Sequence, residues 1–287
     1  MAYNEKDNSQ LRQLQLYELE LLKTFAEICE KNDLKYYLIG GTMLGAVRHK
    51  GFIPWDDDID VGMPRKDYQR FMEIAGDDIP SHYIFLNYRK DRDYLRYFSR
   101  LVDTRVKVYN DSNTDTLVEN AWMDIFPLDG TPDNAFLRNL WFYSLCVNRV
   151  MYHFSCFEQM VNLNRPGRPK YQQMIIRFGK MFKIGRRRDS KAILDKIDRK
   201  LQKYSFEDSR YVMNFFGAYV KKEVVPRAWF GDNSKYQFED VMLNGPTQYD
   251  IYLRQFYGDY TIPPSDEHKD KHNISKIEYV NEDNQNE

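Results

Sequence analysis

Leu11, Leu14, Leu21, Leu22, Phe25, Ile28 and Cys29 recur at helical spacing with charged residues between them, and Ser9 stands where an N-cap belongs. Residues three and four apart share one face of a helix, so this spacing predicts an amphipathic helix ending near Asn32. Tyr36 to Ile39 is a short apolar run and predicts a strand. Gly40-Gly41 ends it, and Thr42 stands where it can cap a short helix through Leu44 and Val47 to His49. From Asp58 to Met63 acidic and apolar residues alternate with the period of a half-buried strand. Pro64 then introduces a helix through Tyr68, Phe71 and Ile74.

Further strands are predicted at Tyr83 to Leu86, Tyr97 to Val102, Arg105 to Tyr109 and Trp122 to Phe126. Asp129-Gly130 and the TPDN segment after it carry turn chemistry and mark a first domain boundary. Phe136 to about Asn162 is an aromatic-rich helical stretch, too apolar to stand alone and expected to pack on the first domain. Between Arg165 and Arg188 there are nine Lys or Arg and no acid, while Tyr171, Met174, Ile175, Phe178, Met181 and Phe182 fall on one helical face. Ser190 to Tyr204 reads as a charged helix, and another helix through Tyr252 and Phe256 precedes YGDYTIPP. The pattern predicts an α/β chain, more narrowly α+β: a mixed-sheet core flanked by helices over 1–130. A helical region with the basic amphipathic segment follows over 131–205, then a C-terminal substrate-pocket region over 206–265. The polar, acidic tail over 266–287 is expected to be loose.

Charge narrows the partners. With 42 Lys and Arg against 43 Asp and Glu, no global field draws the protein to a nucleic-acid backbone, and no nucleic-acid partner is expected. Cys29, Cys146 and Cys156 lack C-x-x-C spacing, sit in apolar surroundings and read as reduced, buried thiols. The first ten residues are polar, without the apolar core of a signal peptide. The longest apolar run, around Leu140 to Val147, is far short of the ~20 residues that span a bilayer. The expected location is therefore cytoplasmic, with peripheral contact on the inner face of the plasma membrane through residues 165–188, where cations flank an apolar stripe; packing of that stripe against the aromatic helix is the alternative.

The chemistry concentrates between Tyr36 and Met63, YYLIGGTMLGAVRHKGFIPWDDDIDVGM. Asp58 and Asp60 lie at i and i+2 of a strand and so point from one face. Carboxylates gathered this closely repel unless a hard divalent cation or shared protons neutralise them, and Mg²⁺ or Mn²⁺ suits an all-oxygen site beside a diphosphate. Asp124 is the candidate third acid because it interrupts the apolar run WMDIF, where a lone carboxylate is costly to bury. The competing reading of Asp124 is a structural carboxylate paired with a buried arginine. Gly40, Gly41 and Thr42 would offer backbone donors and a hydroxyl to phosphates, with Arg48 and Lys50 one short helix away. Trp55 and Tyr257 are candidate aromatic contacts for a substrate's cationic head group.

The run GGTMLGAVRHKGFIPWDDDID closely resembles the signature of the LicD family, related to fukutin and fukutin-related protein. WMDIFPLDG and YDIYLRQFYGDYTIPP resemble that family's other recurring segments. The resemblance implies a nucleotidyltransferase-like fold in which Ile39-Gly40-Gly41 is the glycine motif, Asp58 and Asp60 the paired acids and Asp124 the third. It also implies transfer of phosphocholine from CDP-choline, or in the fukutin branch ribitol phosphate from CDP-ribitol, to a sugar hydroxyl with release of CMP. The expected partners are thus a CDP-linked donor and a glycan or teichoic-acid precursor, which can be lipid-linked. Two alternatives stay open: nucleotidyl transfer from an NTP with release of pyrophosphate, and a noncatalytic nucleotide-binding scaffold of glycan assembly.

Overall fold

The computed structural model of the chain describes residues 5–91, 93–111, 116–156, 174, 189–232, 234–265 and 274–279. Helix α1 (Glu5–Lys31) is followed by β1 (Tyr37–Leu38), α2 (Gly40–Arg48), β2 (Asp60–Pro64), α3 (Arg65–Asp78), β3 (Tyr83–Leu86), β4 (Ser99–Asp111) and β5 (Thr116–Gly130). Beyond them come α4 (Ala135–Ser155), α5 (Ser190–Leu201), β6 (Tyr211–Met213), β7 (Val225–Pro226), β8 (Ser234–Phe238), β9 (Val241–Gly245), α6 (Tyr249–Tyr257) and β10 (Ile274–Tyr279). The fold is a mixed α+β arrangement whose main sheet runs β1-β2-β5-β4-β10, with β3 beside β4 and β6-β7 continuing from β5. β2 and β5 run parallel, and the other pairings among the described residues are antiparallel.

The apolar stripe of α1 explains its place. Leu21, Leu22, Phe25 and Cys29 are fully buried in the main core with Leu38, Phe71 and Met123, while Leu14 joins a smaller cluster with Val106, Val108 and Ala121. The two strands expected at Tyr97 to Val102 and Arg105 to Tyr109 are one continuous strand, β4. The polar Asp103-Thr104-Arg105 step between them is a register shift against β5, in which Asp103 accepts from the Arg105 backbone N–H at 2.9 Å.

Asp129-Gly130 is not a turn. Both residues pair with β6, Asp129 opposite Met213 and Gly130 opposite Val212, so sheet pairing crosses the expected domain boundary. Asp129 is fully buried because its carboxylate grips Arg65, with Nε to Oδ1 at 2.7 Å and Nη2 to Oδ2 at 2.6 Å. Arg65 also reaches Asp198 of α5 at 3.1 Å and Tyr97 Oη at 2.7 Å, and Arg89 pairs with the same Asp198. This network fastens α5 to the end of the parallel strand pair.

The aromatic helix packs partly on the first region, through Tyr88 and Tyr97, and partly on α5. Phe142, Leu145 and Tyr152 of α4 form a second core with Leu194, Ile197 and Leu201 of α5, together with Tyr88, Tyr97, Met213 and Phe215. The opposite face of α4 is exposed. Of the basic segment 165–188, Met174 alone is described, so the expected membrane contact there lies outside the described residues. The tail expected to be loose contributes β10, which pairs antiparallel with β4. All three cysteines are free, Cys29 and Cys156 buried. Among the described residues no helix is long and apolar enough to cross a membrane.

Candidate active site

The site begins where β1 turns into α2. Ile39 N–H donates to the Asp60 carbonyl at 3.2 Å, and Gly40 follows with φ +55°, a left-handed conformation that strains any other residue. Ile39, not Thr42, is the N-cap residue of α2. Thr42 is buried, and its hydroxyl accepts from the Asp60 N–H at 2.8 Å. The expected phosphate-binding hydroxyl is thus engaged in pinning the first residue of β2 against the glycine turn. A Cβ on Gly40 would lie 3.1 Å from Asp60 Oδ2, and one on Gly41 only 2.7 Å from Asp56 Oδ2. The glycines leave room for carboxylates.

Parallel pairing brings in the third acid. Asp60 of β2 stands directly opposite Asp124 of β5, and Asp124 N–H donates to Ile59 O at 2.8 Å. Asp58, Asp60 and Asp124 all line one cavity of about 760 Å³, edged by Gly40, Gly41, Arg48, Trp55 and Asp56. Residues from the C-terminal part of the chain, Tyr219, Glu223, Tyr252, Phe256 and Tyr257, close the other side. Of the residues singled out in the sequence, Thr42 and Lys50 do not line it. Lys50 has φ +60° and belongs to a separate depression with Glu20, Lys23 and Glu239.

The electrostatics are those of crowded acids. Burial, then repulsion from Asp58, Asp124, Asp56 and Glu223, pushes the Asp60 carboxyl well above its usual range. Asp124 does pair with a buried arginine: Arg100 Nε donates to Oδ1 at 2.6 Å, while Oδ2 lies 3.5 Å from Nη2. Burial raises the Asp124 carboxyl and Arg100 opposes the rise. Arg100 is itself stacked over Trp122, 4.5 Å from the ring centroid, and faces Glu119 at 3.5 Å. Both readings of Asp124 therefore meet in one residue, held by Arg100 closely at Oδ1 and at longer range at Oδ2, and still part of the cavity wall. Asp56, Asp57 and Asp58 form a second acidic group, with one oxygen from each within 4.8 Å of the others.

Four further residues that the sequence motifs do not mark shape the site. Glu18 of α1 is fully buried, with both carboxylate oxygens lacking hydrogen-bond partners among the described residues. Burial and repulsion from Asp57, Asp58 and Asp56 raise its carboxyl well above the ordinary 4.5. Its signal was available, since an acid one turn from Leu14 and Leu21 breaks an apolar stripe. Gln15 on the same helix donates to the carbonyls of Ile53 at 3.2 Å and Asp56 at 2.9 Å, so α1 braces the acidic loop from beneath. Arg100 orients Asp124. Glu223, whose Oε1 accepts from Tyr219 N–H at 3.2 Å, is pushed up to about 7 by burial.

Glu18 makes a testable contribution to pH dependence. Because its folded carboxyl is raised, the stability tied to its protonated form is complete below about 4.5 and is lost as pH rises through the folded value. Glu18→Gln has no such loss. Thermal unfolding across pH 5 to 9, a range of roughly ordinary assay conditions, should therefore move in favour of the variant as pH rises. A difference that stays constant with pH would show that Glu18 is not titrating in place.

The fold and cavity define an α+β protein with a glycine-edged, aspartate-lined cleft at a parallel strand pair. The family described as LicD/FKTN/FKRP, nucleotidyltransferase domain, matches residues 33–152, which hold the glycine turn and all three aspartates. A lipopolysaccharide cholinephosphotransferase, LicD, of Haemophilus influenzae is 30% identical over 286 residues, covering 91% of this chain and 96% of its own. The human ribitol 5-phosphate transferase FKRP is 39% identical over 49 residues, 17% of this chain and 10% of its own. An uncharacterized protein of Rickettsia typhi is 46% identical over 66 residues, 23% of this chain and 21% of its own. The chain belongs to the LicD family.

Proposed function

We propose that this protein transfers phosphocholine from CDP-choline to a sugar hydroxyl of a cell-surface glycan or teichoic-acid precursor, releasing CMP. The observation that carries the reading is the register of Asp60 opposite Asp124 at the wall of a cavity edged by Gly40 and Gly41. The relative matched along nearly its whole length is a cholinephosphotransferase, which favours choline over ribitol as the donor alcohol. The lipid-linked form of the acceptor would be met at a membrane surface.

The donor set fits Mg²⁺ or Mn²⁺. It is all oxygen, and the Asp60 carboxyl, raised by burial and then by repulsion from Asp58 and Asp124, would be relieved by a hard cation. Asp58, Asp60 and Asp124 would hold it, and when bound it would draw charge from the diphosphate oxygens and acidify an attacking hydroxyl. The chain's own groups do the positioning. Amides of the glycine turn and the Arg48 guanidinium face the phosphates. The acceptor oxygen bonds to the phosphorus of the phosphocholine group as the bond from that phosphorus to the bridging oxygen of CMP breaks. The hydroxyl proton passes to Asp124, whose Oδ1 is fixed by Arg100. CMP leaves with the bridging oxygen.

The head group would lie against the aromatic wall. Tyr219 and Tyr257 have centroids 5.7 Å apart at 84°, Tyr219 and Phe256 are 5.2 Å apart, and Glu223 sits on the same wall. Ring faces and a carboxylate attract a quaternary ammonium. CDP-choline should therefore outcompete the CDP ester of dimethylbutanol, its uncharged isostere, by about tenfold. The double variant Glu223→Gln/Tyr257→Leu should erase that ratio in competition kinetics; an unchanged ratio would place the head group elsewhere. The reaction itself is tested by incubating the protein and Mg²⁺ with CDP-choline, CDP-ribitol or NTPs and identifying the products. CMP and a phosphocholine-bearing glycan are expected, whereas pyrophosphate from an NTP would mean nucleotidyl transfer.

A further inference from the structure

The face of α4 turned away from α5 is a continuous apolar stripe. Phe136, Leu140, Tyr143, Val147 and Val150 follow one another at steps of four, three, four and three, and with Leu137 each is more than half exposed. Six of the nine large hydrophobic residues exposed to that degree among the described residues lie on this one helix. A patch of that kind marks a surface meant to be covered.

Charge says by what. Ala135–Ser155 contains no Asp or Glu. Beside the stripe, Lys221 Nζ lies 5.5 Å from the centroid of Tyr143. A second copy of this chain packed stripe to stripe would bring an equally acid-free helix and no opposite charge to Lys221. An anionic lipid surface supplies apolar depth and opposite charge together.

We infer that the outer face of α4 docks on an anionic bilayer, with Phe136, Leu140, Tyr143 and Val147 in the boundary between headgroups and acyl chains and Lys221 at the lipid phosphates. The arrangement has a use. Lys221 belongs to the stretch Gly217 to Glu223 that supplies Gly217, Ala218, Tyr219 and Glu223 to the cavity wall, so the docking face borders the cavity rim. A lipid-linked hydroxyl would be offered to the aspartates without leaving the surface. The docking itself depends on neither donor nor reaction.

The test is co-sedimentation of the full chain, without substrate, with vesicles of phosphatidylcholine alone or mixed with phosphatidylglycerol. Partitioning should be about tenfold stronger on the anionic vesicles and fall with added salt. Phe136→Ser/Leu140→Ser/Val147→Ser should lower it by about tenfold or more, with unchanged circular dichroism and unfolding midpoint. Phe136→Leu/Val147→Leu, which keeps the stripe apolar, should bind as wild type. Equal binding to both vesicle types, no binding to either, or a serine variant that partitions like wild type would overturn the inference. So would analytical ultracentrifugation showing a wild-type dimer that the serine variant dissolves, because the stripe would then be a self-contact.

Discussion

Asp60→Ala is expected to reduce CMP release from CDP-choline by about a thousandfold or more, since charge stabilisation at the transferring phosphoryl group supplies most of the rate in such chemistry. Asp60 is the acid common to every feature of the site. Its backbone joins β1 through Ile39 and α2 through Thr42, its side chain abuts the glycine turn, and it lies opposite Asp124. The fold should survive the change. Burial and three neighbouring aspartates raise the Asp60 carboxyl, so without a cation its charge opposes folding as pH rises above the ordinary carboxyl range. The unfolding midpoint of the metal-free variant near neutral pH should therefore equal or exceed that of wild type. Asp58→Ala should behave alike. A folded variant with activity within about tenfold of wild type would remove Asp60 from the transition state.

Arg65→Met is expected to cost about 3–5 kcal/mol of stability. Arg65 is 7% exposed and bonds to Asp129, which is fully buried, and to Asp198, which is 3% exposed. Methionine fills much of the same volume but leaves two carboxylates in the interior, one of them wholly without its cation. Arg89 can still serve Asp198. The loss should appear in urea unfolding as a lower midpoint, and Arg65→Met/Asp129→Leu should recover part of it because no orphaned charge remains at β5. A single-variant loss below about 1 kcal/mol, the size of a surface ion pair, would show that water reaches this network.

Much of this was legible along the chain because local periodicity and burial agree. The α1 stripe, the bounds of β3 at Tyr83 and Leu86, and the alternation leading to Asp60 follow from repeating apolar positions. Where the reading departed from the fold, a distant partner decided. Asp129-Gly130 has turn chemistry, yet Arg65 of α3 and β6 make it sheet. A Cβ on Gly130 would lie 2.1 Å from the Ser205 carbonyl oxygen, so glycine is there for a close backbone approach. The polar tail gains strand structure because β4 has an open edge for Ile274 to Tyr279.

The site divides the same way. Gly40, Gly41, Asp58 and Asp60 could be seen because they lie close in sequence, and Asp124 because a charge in an apolar strand needs a reason. Arg100 and Glu223 could not, for their meaning comes from residues far away in the chain and from a segment without periodicity. Lys50 shows the reverse. It follows Arg48 closely, but its left-handed backbone turns it to another depression.

The proposed reaction needs a divalent cation held by Asp58, Asp60 and Asp124 beside the glycine turn. Diffraction from crystals grown with Mn²⁺ and CDP-choline, with data collected for the anomalous signal of manganese, tests it most directly. A peak touching Asp58, Asp60 and Asp124 and facing the donor's diphosphate is the expected result. A peak held by Asp56, Asp57 and Asp58 alone, away from Asp60 and the phosphates, would contradict it.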